Sequence, residues 1–237
     1  MKACAALILM VLGRATSLWA GTFSVNPVRI ELFASRTNAI LQVSNEEDNE
    51  VTFQVRVCTW STDGKKDVLV DTSEILVNPP IAVLPARQKQ FIRVGLRHPK
   101  DEIQEKAYRI IVEEVPRPPK AGFSGVQTLL RISIPVFIIP RTNAAPKLNW
   151  EAIPADGDNW KLVAVNHGNA HIQIRTLDIT NEGTAANHMN FTVPAYLLPN
   201  QEHEWLIDPA KLRFVGKVRV QANTDAGSLY EMVDTKH

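Results

Sequence analysis

Between Val51 and Val57 apolar and polar positions alternate: Val51, Phe53, Val55 and Val57 fall on one side, Thr52, Gln54 and Arg56 on the other, and Cys58 continues the second side. A period of two sends successive side chains to opposite faces of an extended chain, so the segment predicts a half-buried β-strand. Similar short runs of β-branched and aromatic residues, bounded by turn residues, predict strands at 23–32, 39–44, 51–61, 68–77, 88–97, 107–115 and 126–139. Seven such strands with almost no helical periodicity point to an immunoglobulin-like sandwich. The charged stretch 99–106 is expected to be a solvated loop or a single turn.

Pro140 and Pro146 enclose small and polar residues and cannot donate to a sheet, which makes 141–146 the expected linker. Beyond it, strands are predicted at 148–153, 160–166, 172–180, 190–193, 202–207, 215–221 and 228–233. The expected fold is therefore all-β, with one sandwich domain in 21–140 and a second in 147–237.

The run 126–139 is unusually long. Its 14 residues would extend about 46 Å at roughly 3.3 Å per residue, whereas most strands have about five or six. Its even positions carry Val126, Thr128, Leu130, Ile132, Ile134, Val136 and Ile138, a row that only Thr128 interrupts. Its odd positions carry Leu129, Arg131, Ser133, Pro135, Phe137 and Ile139. Such a row is either buried throughout by its own domain or partly exposed for a partner strand. Pro135 lacks the ladder donor and belongs on an edge or at a bulge, which implies one unpaired side. Natural proteins hide apolar edges unless they use them.

Composition adds the compartment. With 45% apolar and 22% charged residues among 237, the chain has material for one large or two medium cores. Lys2, the apolar run 3–13 and the small residues at 15–20 form an expected secretory signal, cleaved near Ala20. Its removal takes away Lys2 and Arg14, lowering Lys+Arg from 26 to 24 against 25 acids, so the net charge moves from +1 to −1. That balance gives no reason to expect a nucleic-acid partner. Cys4 lies in the signal and Cys58 remains alone, so the exported chain forms no internal disulfide and relies on packed cores.

Catalytic constellations are not expected. His167 and His171 are four apart, about 13 Å along a strand, too far for a shared metal. Gly122-Phe-Ser-Gly125 lacks the second spacer of a nucleophile elbow and precedes a strand. Glu113 and Glu114 alternate across strand faces. Neither an enzyme activity nor a cofactor, metal or small-molecule substrate is expected.

Several motifs occur in order: Asn26-Pro-Val-Arg29, Asn78-Pro-Pro80 with Val83-Leu-Pro85, Gln90-Phe-Ile-Arg93-Val94, Tyr108-Arg-Ile-Ile-Val-Glu-Glu-Val-Pro116, and the long strand ending at Pro140. In the second half Val165-Asn-His-Gly-Asn169 and the segment 193–199 fit the same order. Together they resemble the PapD-like periplasmic chaperones of chaperone–usher pilus assembly, over essentially the whole chain after the signal.

The resemblance implies two immunoglobulin-like sandwiches set at an angle with a cleft between them, a periplasmic location, pilus subunits as clients and an outer-membrane usher as receiver. It also implies donor-strand complementation, in which the chaperone lends a strand to a subunit lacking its own. By position Val126, Thr128, Leu130 and Ile132 would be lent, and Ile134, Val136 and Ile138 kept. Better-known members anchor the subunit's terminal carboxylate with an Arg on the first strand and a Lys on the last. Arg29 matches the Arg, but Pro135 stands where the Lys would be, a departure suggesting the archaic branch. Arg29 would then act with another base, Arg131, Lys89 or Arg93, or the client is anchored differently. The short segment 117–125 leaves the fibre type open. A pilus subunit, an adhesin or another protein-binding double sandwich are the alternative readings.

Overall fold

The computed structural model describes residues 23–63, 66–98, 102–117, 128–141, 143–181, 188–192 and 194–235. The first sandwich contains, in chain order, β1 (Phe23–Asn26), β2 (Ile30–Leu32), β3 (Asn38–Asn45), β4 (Val51–Thr62), β5 (Asp67–Asp71), β6 (Ile75–Asn78), β7 (Ile81–Leu84), β8 (Lys89–Leu96), β9 (Lys106–Glu114) and β10 (Arg131–Ile138). One sheet has the order β1-β3-β8-β6; the other has β2-β10-β9-β4-β5, with β7 also on β4. The even face of β10 and the odd face of β4 meet in the core with Leu41, Val43, Ile92 and Val94 from the facing sheet. Each such Val, Leu or Ile contributes roughly 1.5–3 kcal/mol of transfer free energy, which is what holds the layers together without a disulfide.

The second sandwich contains β11 (Leu148–Pro154), β12 (Trp160–Asn166), β13 (Ile172–Asn181), β14 (His188–Phe191), β15 (Ala195–Leu197), β16 (Glu202–Ile207), β17 (Lys217–Thr224) and β18 (Gly227–Asp234). Its sheets run β11-β12-β16 and β14-β13-β17-β18, with β15 on β13. A separate core of Leu162, Ile172, Ile174, Ile179, Trp205, Ile207 and Val220 lies between them.

Three predicted strands need correction. The first, 23–32, divides at Pro27, which has no donor, and the chain crosses from one sheet to the other between β1 and β2. The fourth, 68–77, likewise divides into β5 and β6 in different sheets. The last, 126–139, is the eight-residue strand Arg131–Ile138 within the described residues, with 128–130 outside it. Its ladder loosens there because the N–H of Leu130 reaches the Glu114 carboxylate, at 3.4 Å, where a main-chain carbonyl would continue it. Strands β7 and β15 escape sequence reading because Pro79, Pro80, Pro85 and Pro194 make their surroundings look like turns. The connector at 99–106 is not simply solvated: Glu105 is buried.

Candidate functional site: a free strand edge above an interdomain seam

Strand β10 is paired unequally on its two sides. On one side it pairs with β9 along its whole length, from Arg131 opposite Glu113 to Ile138 opposite Lys106. On the other it pairs with β2 only over Val136–Ile138. The N–H of Glu114 donates to the Leu130 carbonyl at 3.0 Å, and the N–H of Ile139 to the Leu32 carbonyl at 2.8 Å. Main-chain groups of even residues therefore face β9, and those of odd residues face β2 or, above it, the open edge. Among the described residues no strand takes the main-chain groups of Arg131 and Ser133 on that edge. Pro135, also odd, lacks a donor where the β2 ladder stops, as an edge proline should.

The even side chains run out of the core along the same strand. Ile134, Val136 and Ile138 are buried, while Ile132 and Leu130 are half-buried and pack on the margin of the core cluster. Thr128 is exposed. Val126 lies outside the described residues.

The expected anchor, Arg29, sits between β1 and β2, where the chain changes sheets. Its Nη1 donates to Asp225 Oδ2 and its Nη2 pairs with Glu31 Oε1, each at 2.8 Å. Its guanidinium lies 5.1 Å from the Phe137 ring centre. Burial disfavours its charge, but the hydrogen bond to Asp225 and the Glu31 carboxylate outweigh that and raise its pKa. Arg131 is elsewhere: it is six positions from Phe137 along β10, about 20 Å, and its Nε is 3.9 Å from Glu113 Oε2. Lys89 and Arg93 occupy exposed positions of β8, in the other sheet. The structure does not bring Arg131, Lys89 or Arg93 to Arg29.

What it does bring there is a seam between the two sandwiches that sequence reading missed. Phe137, Trp60 and Leu198 form a small buried cluster, edged by Tyr196 and Ile139. His171 stacks on Phe137, and its Nδ1 is 2.6 Å from Oε1 of Glu105, whose side chain is 0% exposed. Asp225 receives the N–H of Gln173 at 2.9 Å and Arg29 on its other oxygen. Burial pushes the Asp225 carboxyl up, but the Gln173 main chain and Arg29 more than compensate and hold it below the usual range. Gln201 Oε1 accepts from both the N–H and the hydroxyl of Thr62. Glu105, His171 and Asp225 carried no local signal, because what distinguishes them is a partner 54 to 196 positions away.

A family model described as "Pili and flagellar-assembly chaperone, PapD N-terminal domain" matches residues 22–144, more than half of the chain. The chain belongs to that family, and its work is that of a chaperone in pilus assembly. It is similar in fold to the chaperone-containing CsuC–CsuE pre-assembly complex from the archaic chaperone–usher Csu pili of Acinetobacter baumannii, at 22% identity and a TM-score of 0.67, over 90% of this chain and 98% of that one. It is also similar to the E. coli chaperone DraB, at 21% identity and a TM-score of 0.59, over 92% and 98%. A third similar structure holds the Salmonella enterica SafA pilin with the SafB chaperone, at 17% identity and a TM-score of 0.62, over 89% and 96%. Among curated proteins none matches the chain.

Proposed function

We propose that the protein is a periplasmic chaperone that lends the exposed edge and apolar row of β10 to an incomplete pilus subunit and passes it to an outer-membrane usher. The observation that carries this reading is the coincidence of the unpaired edge at Arg131–Pro135 with a side-chain row that leaves the core at Ile132. A subunit strand laid on that edge gains main-chain hydrogen bonds that do not depend on its sequence, and the alternate side chains fix its register. In this reading Val126, Thr128, Leu130 and Ile132 enter the subunit, and Arg29 receives its terminal carboxylate. Arg131, exposed at the start of the strand, steers the subunit toward the edge and is not part of the Arg29 site. The chain is organised as a signal in 1–20, a chaperone domain in 21–140, a linker in 141–146 and a second domain in 147–237. The reading assigns no reaction and no cofactor.

Co-expression with the pilin of the same assembly system tests it. Leu130→Glu and Arg29→Ala should each lower the pilin recovered with the chaperone from periplasm while leaving the chaperone folded. Undiminished pilin with both changes present would exclude the β10 edge as the binding surface.

A further inference from the structure

The outward face of the sheet β1-β3-β8-β6 is both apolar and cationic. Alternation sends Leu41, Val43, Ile92 and Val94 into the core, so the intervening positions of β3 and β8 point to solvent. Three of the outward side chains are large and apolar: Phe91 is 57% exposed, Ile40 50% and Leu76 45%. Lys89 and Arg93 stand on the same face of β8, and Arg97 continues their alternation just past the strand end, all three exposed. None of the outward positions on the four strands carries a carboxylate. Among the described residues none of these three cations forms an ion pair. Two acids border the face, and each already has a donor: Glu46 accepts from the Ser24 hydroxyl at 3.0 Å, and Glu74 from the Tyr108 hydroxyl at 2.6 Å.

Uncompensated positive charge selects an anionic partner, and the placing of the apolar side chains selects its kind. A protein–protein interface has an apolar centre depleted of charge and a polar rim. Here the order is different. Register puts Ile40 opposite Arg93 and Arg93 opposite Asn78, while Phe91 lies between Lys89 and Arg93 on the outward row of β8. Whatever covers the apolar side chains must therefore also cover the cations among them. The surface of an anionic bilayer accepts both at once, because apolar side chains enter the headgroup and acyl boundary while Lys and Arg stems bend their charged ends back to the phosphates. The guanidinium fork matches a phosphate in particular.

We infer that this face binds the surface of an anionic phospholipid membrane, with Phe91, Ile40 and Leu76 dipping into it and Lys89, Arg93 and Arg97 on the headgroup phosphates. The face points away from the sheet that contains β10, so a membrane-bound molecule keeps the β10 edge open. Such binding holds the chaperone where exported chains emerge from a membrane. The inference goes beyond strand donation and stands or falls independently of it.

Flotation of the mature full-length protein with vesicles tests it, using phosphatidylglycerol mixed with phosphatidylethanolamine, and phosphatidylcholine alone for comparison. The wild type should float with the anionic vesicles and not with the neutral ones, and should be released at about 1 M NaCl, where the screening length falls to about 3 Å. A cation near an anionic surface is worth about fivefold in affinity, so Lys89→Gln combined with Arg93→Gln should weaken binding about 25-fold. Phe91→Ser should weaken it too while keeping its salt dependence. Lys147→Gln combined with Arg219→Gln removes the same charge from exposed positions of the second sandwich and should leave flotation unchanged. Thermal unfolding at the wild-type midpoint shows that each variant is folded. A wild type that does not float with anionic vesicles overturns the inference, and so does a second-sandwich pair that loses as much binding as the Lys89 and Arg93 pair. Binding of polyglutamate without binding of anionic vesicles overturns it as well and assigns the face to an acidic protein.

Discussion

His171 lies flat on Phe137, with ring centroids 3.6 Å apart and planes 8° from parallel, so that a residue of the second sandwich rests on the strand that the first sandwich presents. The same imidazole holds Glu105 by its Nδ1. Replacing it by alanine removes the stack and leaves a buried carboxyl without its side-chain partner, at an expected cost of about 1–3 kcal/mol. Glu105→Gln should cost less in the His171→Ala background than in the wild type, so that the double variant costs less than the sum of the two single changes. A double-mutant cycle by urea unfolding measures the difference, and strict additivity would show that the contact contributes nothing.

The Arg29–Asp225 pair gives the seam a pH dependence. The Asp225 carboxyl is held below its usual range in the folded protein, so its contribution is present above the unfolded value of about 3.9 and is lost as pH falls through the folded value. The stability difference between the wild type and Asp225→Asn should be present at about pH 5 and above and should close as pH falls below about 4. Unfolding curves across that range check it; a difference that grows below about pH 4 contradicts the assignment.

Two isoleucines on the same row of β10 should behave differently. Ile134 is buried and opposite Ile110, and its replacement by alanine should cost about 2–5 kcal/mol of stability. Ile132 is half-buried at the core margin, so alanine there should cost less stability but lower pilin recovery. Thermal unfolding and co-purification, measured on both variants, separate the part of the row that serves the home core from the part proposed to be lent.

Gly168 is required for space. A Cβ at this position would lie 2.3 Å from the Ala145 carbonyl oxygen and 2.6 Å from the Lys147 nitrogen, both backbone atoms that cannot swing aside. The turn is held by Asn166, whose Oδ1 accepts from Lys147 and Gly168 and whose Nδ2 donates to Ala170 and Leu197. Gly168→Ala should therefore destabilise the second sandwich by about 1–3 kcal/mol, visible as a lower midpoint in thermal unfolding.

Much of the strand pattern was legible in the chain because it is local: the alternation at 51–57 states which side of β4 is buried, and β12 and β16 occur at their predicted limits. Pro135 announced an edge because it cannot donate. Sheet changes were less legible. Residues 68–77 look like one strand because nothing local says that β5 and β6 belong to different sheets. Glu105 looked like a solvated charge, since its neighbours are Gln104 and Lys106 and its partner His171 comes from the other sandwich.

By itself, then, the sequence determined an all-β chain with a long apolar strand row, either buried throughout or partly exposed, and a proline marking an edge, because periodicity and donor chemistry are properties of neighbouring residues. Only the tertiary structure decided that the open edge ends at Pro135 beside Arg109, that Arg29 is tied to Asp225, and that Arg131 stands apart from both. Cross-strand register and the docking of one sandwich on the other place those groups, and neither is encoded in any single stretch of the chain.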